Sequence, residues 1–369
     1  MNKIKVLTIF GTRPEAIKMA PLVKEIEKNS DVFTSIVCVT AQHRQMLDQV
    51  LSLFNICPDY DLNVMKDNQN LWSLTCDVLM KTKHVIESVN PDVVLVHGDT
   101  TTSMAAALSA FYAKIPVGHV EAGLRTFDKY YPFPEEINRV FTDSLCSYHF
   151  APTDKSVENL INSQISQEHI YKTGNTVIDA LLYTVENYGE EIKGLNLNPN
   201  LKTILLTSHR RENFGEPLKN ICHAVLNLVD NNNDIEFVYP VHPNPNVKVP
   251  VYELLSGKDR IHLIEPLEYA QFCSLMKKSH VILTDSGGVQ EEAPSLGKPV
   301  LVLRDTTERP EAIEYGTVKL VGTNKDTIVN TVQMLLNSDE EYKKMSEAIN
   351  PYGDGLASKR IVDILRNIK

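Results

Sequence analysis

The 369-residue sequence has no apolar run near the ~18 residues that a membrane-spanning helix needs. Its six cysteines are scattered, without CxxC spacing or a cysteine–histidine ligand pattern. We therefore expect reduced cysteines in the core of a cytosolic protein rather than metal ligands. The first residues pass directly into a strand pattern without a small-residue cleavage site, so we expect no signal peptide.

Positive charge is also scarce, since 37 lysines and arginines face 47 acidic residues and give a formal net charge of −10. Such a surface repels nucleic acid and anionic lipid, so we expect no nucleic-acid partner and no membrane insertion. A buried pocket with its own positive field can still bind a small anion. The GxGxxG and Walker A motifs are absent, so neither a dinucleotide site nor a P-loop is predicted.

Short β-branched runs alternate with helical patterns along almost the whole chain. Runs such as 93–96 are apolar on both faces, as strands of a helix-covered parallel sheet require. The pattern predicts an α/β, doubly wound fold with two Rossmann-like domains facing each other across a cleft. The predicted strands are 5–10, 35–40, 92–96, 117–120, 148–151, 203–207, 236–240, 261–263, 281–284, 300–303 and 318–320.

One polar stretch, 189–202, contains glycine, asparagine and proline without a clear period, which indicates a linker or hinge. We therefore predict an N-terminal domain over 1–172 and a C-terminal domain over 173–354. The sequence does not decide whether the last helix, about 355–369, packs back on the first domain.

A glycine-rich turn follows the predicted strand 281–284 and opens a helix. Ser286, Gly287 and Gly288 offer N–H groups without bulky side chains, which suits a phosphate or pyrophosphate. Glu292, one helical turn later, is placed to accept hydrogen bonds from a ribose diol. The competing interpretation is a plain helix cap, and we favour nucleotide binding.

Basic residues and histidines follow other predicted strands. His209 and Arg210 come after 203–207, and His242 comes after 236–240, so both loops are candidates for phosphate contacts, although a single histidine is more often structural. Arg13 and Lys18 follow the first strand and offer charge to an anion, with a tight turn and solvated basic residues as the alternative.

Carboxylates gather at the strand ends of the first half. Asp99 follows 92–96 and Glu121 follows 117–120. Several carboxylates near a bound phosphate disfavour binding alone, but they are useful where protons must be moved.

A further pair, Glu135 and Glu136, follows Pro134 at the start of a predicted helix. Acids at a helix N-terminus are favoured by the dipole, so this pair has a structural interpretation as well as a catalytic one. The apolar side of this helix is predicted at Ile137, Val140 and Phe141.

Together these segments make the chain resemble the non-hydrolysing UDP-N-acetylglucosamine 2-epimerases, which have the glycosyltransferase-B architecture. The resemblance runs from the first strand to about residue 311. The matching segments are GTRPEAIKMAPL (11–22), HGDTTTSMAAALSAF (97–111), HVEAGLRT (119–126), PFPEEINR (132–139), GNTVIDAL (174–181), SHRREN (208–213), VHPNP (241–245) and DSGGVQEEAPSLGKPVL (285–301).

The resemblance implies reversible conversion of UDP-N-acetylglucosamine (UDP-GlcNAc) to UDP-N-acetylmannosamine (UDP-ManNAc) through a 2-acetamidoglucal intermediate. This reaction would supply bacterial surface polysaccharide synthesis, without metal or nicotinamide, in a cytoplasmic enzyme that we expect to be a homodimer. The implied catalytic residues are Asp99, Glu121, Glu135, His209 and Lys18, and the implied substrate-binding residues are Arg13, Ser286, Gly287, Gly288 and Glu292.

Family members that are activated by UDP-GlcNAc have a further effector site, which matches Gln42, His43, Gln45, Arg210 and His242. The chain departs from this pattern at Asn68, where an arginine is expected. A missing phosphate-binding guanidinium removes on the order of 1.5–3 kcal/mol of charge-assisted hydrogen bonding. We expect weaker activation by substrate, and the variant N68R should strengthen it. An unchanged dependence of rate on UDP-GlcNAc concentration would contradict this expectation.

Other functions remain open on the same residues. A hydrolysing epimerase would release UDP and free N-acetylmannosamine, and an epimerase of a modified UDP-acetamido sugar would share these motifs. A glycosyltransferase of this fold is less favoured because no acceptor site is visible. A catalytically silent nucleotide-sugar sensor would not need Asp99, Glu121 and Glu135.

Overall fold

The strands of the chain form two parallel sheets. The computed structural model describes residues 3–41, 44–66, 69–188, 192 and 194–368. Within these residues, the first sheet contains β1 (Ile4–Phe10), β2 (Phe33–Val39), β3 (Tyr60–Asp61), β4 (Val93–His97), β5 (Val117–Val120), β6 (Tyr148–Ala151) and β7 (Ile170–Lys172). The second contains β8 (Lys202–Thr207), β9 (Ile235–Pro240), β10 (Ile261–Ile264), β11 (Val281–Thr284), β12 (Val300–Val302) and β13 (Val318–Leu320).

Helices connect the parallel strands, as the crossovers of such sheets require. Those of the first half are α1 (Arg13–Lys28), α2 (Arg44–Leu53), α3 (Leu71–Val89), α4 (Thr101–Tyr112), α5 (Glu135–Leu145), α6 (Asp154–Asn162) and α7 (Thr176–Asn187). The later ones are α8 (Glu216–Asn231), α9 (Pro245–Leu255), α10 (Tyr269–Lys278), α11 (Gly287–Glu292), α12 (Pro310–Glu314), α13 (Lys325–Asn337), α14 (Asp339–Ser346) and α15 (Ala357–Leu365).

The order of the strands places the buried, apolar ones at the centre of each sheet. The first sheet runs β3-β2-β1-β4-β5-β6-β7 and the second β10-β9-β8-β11-β12-β13, with every pair parallel. Each of the predicted strands is confirmed, with ends that shift by one or two residues. The sequence pattern missed β3 and β7, which are short edge strands and lack the continuous apolar run of the central strands.

The chain divides into two compact units. Unit 1 is Met1–Ala180 with Tyr352–Lys369, and unit 2 is Leu181–Pro351, so the division falls within α7. The boundary predicted after residue 172 lies in the loop between β7 and α7. In unit 1, α15 packs against α1, and the carboxylate of Asp179 accepts the N–H groups of Ala357 (3.2 Å) and Ser358 (2.8 Å) at the start of α15.

The cysteines only partly follow the core prediction. All six are free, and Cys38, Cys222 and Cys273 are buried, whereas Cys57 and Cys76 are exposed. The core assignment is therefore wrong for Cys57, in the loop between α2 and β3, and for Cys76, on the exposed side of α3. None of the helices in the described ranges combines the length and the apolar character needed to cross a bilayer.

A stacked histidine in unit 2 predicts an acid dependence of stability. The ring of His280 lies against that of Tyr342, with centroids 4.4 Å apart and an interplanar angle of 10°. Burial, with nearby Lys202 and Lys298, lowers the pKa of His280 to about 4. In the unfolded chain this histidine has its ordinary pKa of ~6.5. Between that pH and 4 the unfolded state therefore binds more protons than the folded state, so the free energy of unfolding falls as the pH is lowered through this range.

We therefore expect the variant H280F, which keeps the stacking but cannot titrate, to flatten the slope of unfolding free energy against pH in this window. Urea unfolding at several pH values measures the slope. The control Y342F keeps both the histidine and the stacking and should retain the dependence. A slope that H280F leaves unchanged would contradict the prediction.

Candidate functional site

In unit 1, the loop after β1 is joined to the turn after β4 by one buried carboxylate. Glu15, in the first turn of α1, accepts the N–H groups of Gly11 (3.1 Å) and Thr12 (2.7 Å). Its other oxygen accepts the hydroxyls of Thr100 (2.7 Å) and Ser103 (3.1 Å). Burial raises the pKa of Glu15 despite these donors. Glu15 thus connects the loop that carries Arg13 with the turn that carries Asp99.

The two basic residues of the first loop have different surroundings. Arg13 is the first residue of α1; its side chain is exposed and has no ion-pair partner among the residues described. Lys18 is on the following turn, and its ammonium group contacts the carboxylate of Glu121 at the end of β5. Arg13 is therefore available to an external anion, whereas Lys18 forms an ion pair with Glu121.

Glu121 lies among three polar side chains at the end of β5. Its backbone has φ of +65°, in the left-handed region that non-glycine residues rarely adopt. Its Oε2 accepts from Lys18 and from Nδ2 of Asn175 (2.8 Å), and Nε2 of His97 lies 3.8 Å away. Burial lowers the pKa of His97 to about 3, so this ring is neutral at pH 7.

Asp99 lies on the neighbouring loop, after β4. Its carboxylate contacts the guanidinium of Arg139 from α5, and its carbonyl accepts from Nδ2 of Asn138 (3.0 Å). Arg139 also donates to Oε2 of Glu136 (3.1 Å). A Cβ placed on Gly98 would be 3.7 Å from Oε1 of Glu121, so the chain beside Asp99 runs close to Glu121. The ends of β4 and β5 therefore place Asp99 and Glu121 close to each other.

The helix α5 faces the opposite way from the prediction. It begins at Glu135, with Pro134 preceding it rather than occupying its first position. Ile137 and Phe141 are 39% and 56% exposed, so the predicted apolar side does not pack into the core of unit 1. The buried residues of α5 are Glu136, Asn138, Arg139, Thr142 and Asp143. The polar side is buried because it supplies partners for the loops after β4 and β5.

The two adjacent glutamates at the start of α5 have different surroundings. Glu136 is buried and accepts the N–H groups of Thr126 (3.0 Å) and Phe127 (2.9 Å), which is the structural role considered for it. Glu135 is half-buried, and no residue in the described ranges forms a hydrogen bond or ion pair with its side chain. Its carboxylate is therefore available to a ligand.

In unit 2, a fully buried aspartate organises the loop after β8. One oxygen of Asp285 accepts from Ser208 Oγ (3.0 Å), His209 N (2.8 Å), Arg210 N (2.9 Å) and Asn213 Nδ2 (3.0 Å). Burial acts to raise the pKa of Asp285, but these hydrogen bonds and the nearby His209 ring hold the pKa below its ordinary value. The predicted phosphate loop is thus built around one carboxylate, which the sequence analysis did not single out.

The glycine-rich turn opens α11 beside two guanidinium groups. Ser286 precedes the helix, and Gly287 is its first residue. A Cβ on Gly287 would be 3.6 Å from a guanidinium nitrogen of Arg309 and 3.9 Å from one of Arg210. Nε of Arg309 is 2.5 Å from the buried carboxylate of Glu291. Two guanidinium groups and the N–H groups at the start of α11 therefore lie side by side, an arrangement that can bind an anion. Sequence reasoning missed Arg309, which lies before a proline in a segment without a recognisable motif.

Glu292 lies one turn into the same element and is held by a tyrosine. Its Oε1 accepts the hydroxyl of Tyr269 at 2.8 Å. Burial, with the adjacent Glu292, raises the pKa of Tyr269 well above its ordinary value, so this hydroxyl keeps its proton and donates. A Cβ on Gly288 would be 3.8 Å from Oε2 of Glu292. The glycine thus leaves space beside the predicted ribose-binding carboxylate.

The predicted histidines of unit 2 are stacked. The rings of His209 and His242 are 5.8 Å apart at 22°, and Nδ1 of His209 is 3.1 Å from Oδ1 of Asp285. Partial burial and the neighbouring His209 lower the pKa of His242. Of the other residues assigned to an effector site, Gln42, His43 and Asn68 lie outside the described residues, and Gln45 belongs to α2.

The family model described as UDP-N-acetylglucosamine 2-epimerase matches residues 24–366. The UDP-N-acetylglucosamine 2-epimerase of Escherichia coli K12 is 55% identical, over 99% of each chain. The crystal structure of UDP-GlcNAc 2-epimerase from Neisseria meningitidis bound to UDP-GlcNAc is similar with a TM-score of 0.87 and 55% identity, over 98% of this chain and 99% of that one. The S. aureus MnaA–UDP co-structure has a TM-score of 0.84 and 48% identity, over 98% of this chain and 96% of that one.

These matches extend over nearly the whole chain and include both units. With the two parallel sheets, they confirm the predicted α/β fold class of glycosyltransferase-B type. The chain therefore belongs to the UDP-N-acetylglucosamine 2-epimerase family.

Proposed function

We propose that the chain interconverts UDP-GlcNAc and UDP-ManNAc by eliminating UDP and adding it back, without hydrolysis. The observation that carries the proposal is the pair of carboxylates at neighbouring strand ends of unit 1. Asp99 is paired with Arg139 and Glu121 with Lys18, so each carboxylate has its own cation. The UDP-GlcNAc bound to the Neisseria relative supports the choice of substrate.

The UDP portion is assigned to unit 2. Arg210 and Arg309 lie beside Gly287, and with the N–H groups at the start of α11 they can bind the diphosphate. Glu292, oriented by Tyr269, is placed to accept from the ribose diol. These groups stabilise the negative charge that develops on UDP as it leaves.

The acid–base steps are assigned to unit 1. The hydrogen on C2 of the sugar is not adjacent to a carbonyl group, so its direct removal would be slow. When the C1–O bond to UDP breaks as a base takes the C2 proton, the electrons of the C–H bond form the C1=C2 double bond of 2-acetamidoglucal. A diphosphate oxygen then bonds to C1 while a proton is delivered to the other face of C2. Two faces need two acid–base groups, which Asp99 and Glu121 supply, with Glu135 as a third candidate.

Incubation with UDP-GlcNAc in D2O tests this proposal. We expect proton NMR to show UDP-ManNAc appearing and deuterium entering C2 of both sugars, because the proton returned to C2 comes from a group that exchanges with solvent. Unchanged, unlabelled UDP-GlcNAc would contradict the epimerase assignment. Release of UDP with free N-acetylmannosamine as the main products would instead identify a hydrolysing enzyme.

The same spectra define the substrate. If UDP-GlcNAc is inert but a modified UDP-acetamido sugar is labelled at C2, the carboxylate assignment stands and the sugar assignment is wrong. For an active enzyme, we propose that UDP-ManNAc is supplied to the synthesis of surface polysaccharide.

A further inference from the structure

The strand that ends before Glu121 also carries a buried histidine. His119 lies on β5 with no exposed surface. Its Nδ1 is 2.6 Å from Oδ1 of Asp143 on α5, and its Nε2 is 2.7 Å from the carbonyl oxygen of Gly98. Both are hydrogen-bond distances, so each ring nitrogen contacts an oxygen atom.

The chemistry of these two oxygens determines how many protons the ring carries. The carbonyl of Gly98 only accepts, so Nε2 must carry a hydrogen. Arg125 donates to Oδ2 of Asp143 at 2.6 Å. Burial acts to raise the pKa of Asp143, but His119 and Arg125 hold the pKa below its ordinary value. An ionised carboxylate also only accepts, so Nδ1 carries a hydrogen too, and the ring is an imidazolium.

The surroundings of the ring support a single positive charge at this position. Burial lowers the pKa of His97 on β4 and of His149 on β6. His149 contacts two backbone carbonyls, at 2.8 and 3.2 Å, but no carboxylate, so one N–H serves the shorter contact, and both neighbouring rings are neutral at pH 7. Burial also raises the pKa of the Cys146 thiol well above its ordinary value. Among the described residues, these interactions place Asp143, His97 and His149 beside His119, with Arg125 and Cys146 next to Asp143.

The carbonyl that His119 contacts belongs to the loop that presents Asp99. Gly98 has φ of +63°, and its N–H donates to the carbonyl of Val120 at 2.9 Å. β5 therefore holds Gly98 by its N–H and, through His119, by its carbonyl. The next carbonyl, that of Asp99, accepts from Asn138. The backbone on which the Asp99 carboxylate depends is fixed from two elements.

We propose that His119 is a positioning residue that remains an imidazolium at working pH and holds Asp99 in place through the carbonyl of Gly98. This inference rests on the proposed function, in which Asp99 takes part in proton transfer at C2. A neutral ring has one N–H, so it would lose either the bond to Gly98 or the bond to Asp143.

The protonation state is tested directly, without reference to activity. In protein labelled with [15N]histidine, we expect His119 to show two protonated ring nitrogens that do not change between about pH 7 and pH 9, well above the ordinary histidine pKa of ~6.5. The signals are assigned from the variant H119Q or, if that variant does not fold, from nuclear Overhauser contacts to the paired residues Val96 and His149. A single protonated nitrogen in this range would overturn the proposal.

Kinetics test the positioning role. In H119Q, a neutral amide replaces the cation, and we expect kcat to fall about 10- to 100-fold through misplacement of Asp99, with KM for UDP-GlcNAc unchanged. The matched control is H149Q, which removes a buried ring from the next strand. His149 contacts the carbonyls of Asp143 and His169 and not the Asp99 loop, so kcat should be kept. Equal losses of kcat in H119Q and H149Q would overturn the positioning role.

The dependence of kcat on pH in the variant D143N distinguishes the proposed role of His119 from a merely structural one, which would leave this dependence unaltered. Without the carboxylate, Nδ1 loses its acceptor and the imidazolium loses the charge that stabilises it. We expect kcat of D143N to decrease as the pH is raised from about 7 to 9, whereas the unmodified protein shows no such decrease from His119. A D143N profile identical to that of the unmodified protein would contradict the proposal. If the protein has no epimerase activity but His119 is doubly protonated, only the proposed function fails.

Discussion

Replacing Glu121 with glutamine is expected to lower kcat by about 10³-fold, because an amide of the same shape cannot exchange a proton with C2, and general acid–base catalysis contributes 10²- to 10⁴-fold. KM should change little, since the diphosphate contacts are assigned to Arg210 and Arg309 of unit 2. The rates are measured by proton NMR of the UDP-GlcNAc to UDP-ManNAc conversion. Binding of UDP, measured by calorimetry, should be retained.

The matched control is E168Q, which changes a carboxylate in the same unit that is 75% exposed. This variant should retain full kcat. A comparison of E121Q with D99N also shows which carboxylate acts on which face of C2. Each variant should slow deuterium incorporation more when the reaction starts from one of the two epimers than when it starts from the other. If E121Q kept more than about a tenth of kcat, Glu121 would not be an acid–base residue.

Replacing Gly123 with alanine is expected to destabilise unit 1 by about 4 kcal/mol, from a strained backbone added to steric overlap. Gly123 has φ of +88°, and an added Cβ would be 2.4 Å from the carbonyl oxygen of Ser156 and 2.9 Å from Cγ of Leu160. The oxygen belongs to the backbone of α6, which cannot move aside as a flexible side chain can. Urea unfolding followed by circular dichroism measures the loss.

Gly257 provides the comparison for this variant. It also has a positive φ, of +70°, but an added Cβ would have open space around it. G257A should therefore cost only the left-handed backbone strain, about 1–2 kcal/mol. Equal losses in G123A and G257A would show that the contact with α6 contributes nothing.

The central strands could be predicted because their signal is local. β4 and β8 are apolar on both faces, and that pattern distinguishes a covered parallel strand without knowledge of its neighbours. β3 and β7 have no such signal, since a strand of two or three residues at a sheet edge is defined by its partner. The orientation of α5 was predicted wrongly for a related reason. Its polar side is buried because of the partners that the loops after β4 and β5 require, and these partners are distant in the sequence.

The candidate site shows the same limit. Asp99, Glu121 and the turn at Ser286 follow strands directly, so topology alone placed them at sheet edges. The roles proposed for Arg309 and His119 could not be predicted from the sequence, because these roles depend on what the two side chains contact. Arg309 approaches Gly287 from a distant segment, and His119 sits within a strand, where a histidine looks like an ordinary core residue.

The position of α15 affects how the chain folds during synthesis. Unit 2 is contiguous in sequence, whereas unit 1 needs α15, whose first N–H groups bind Asp179 and whose side packs on α1. The ribosome therefore finishes all of unit 2 before it releases the last helix of unit 1. The first half of the chain to be translated is therefore the last to be completed, and the side of α1 that α15 covers stays uncovered in the meantime.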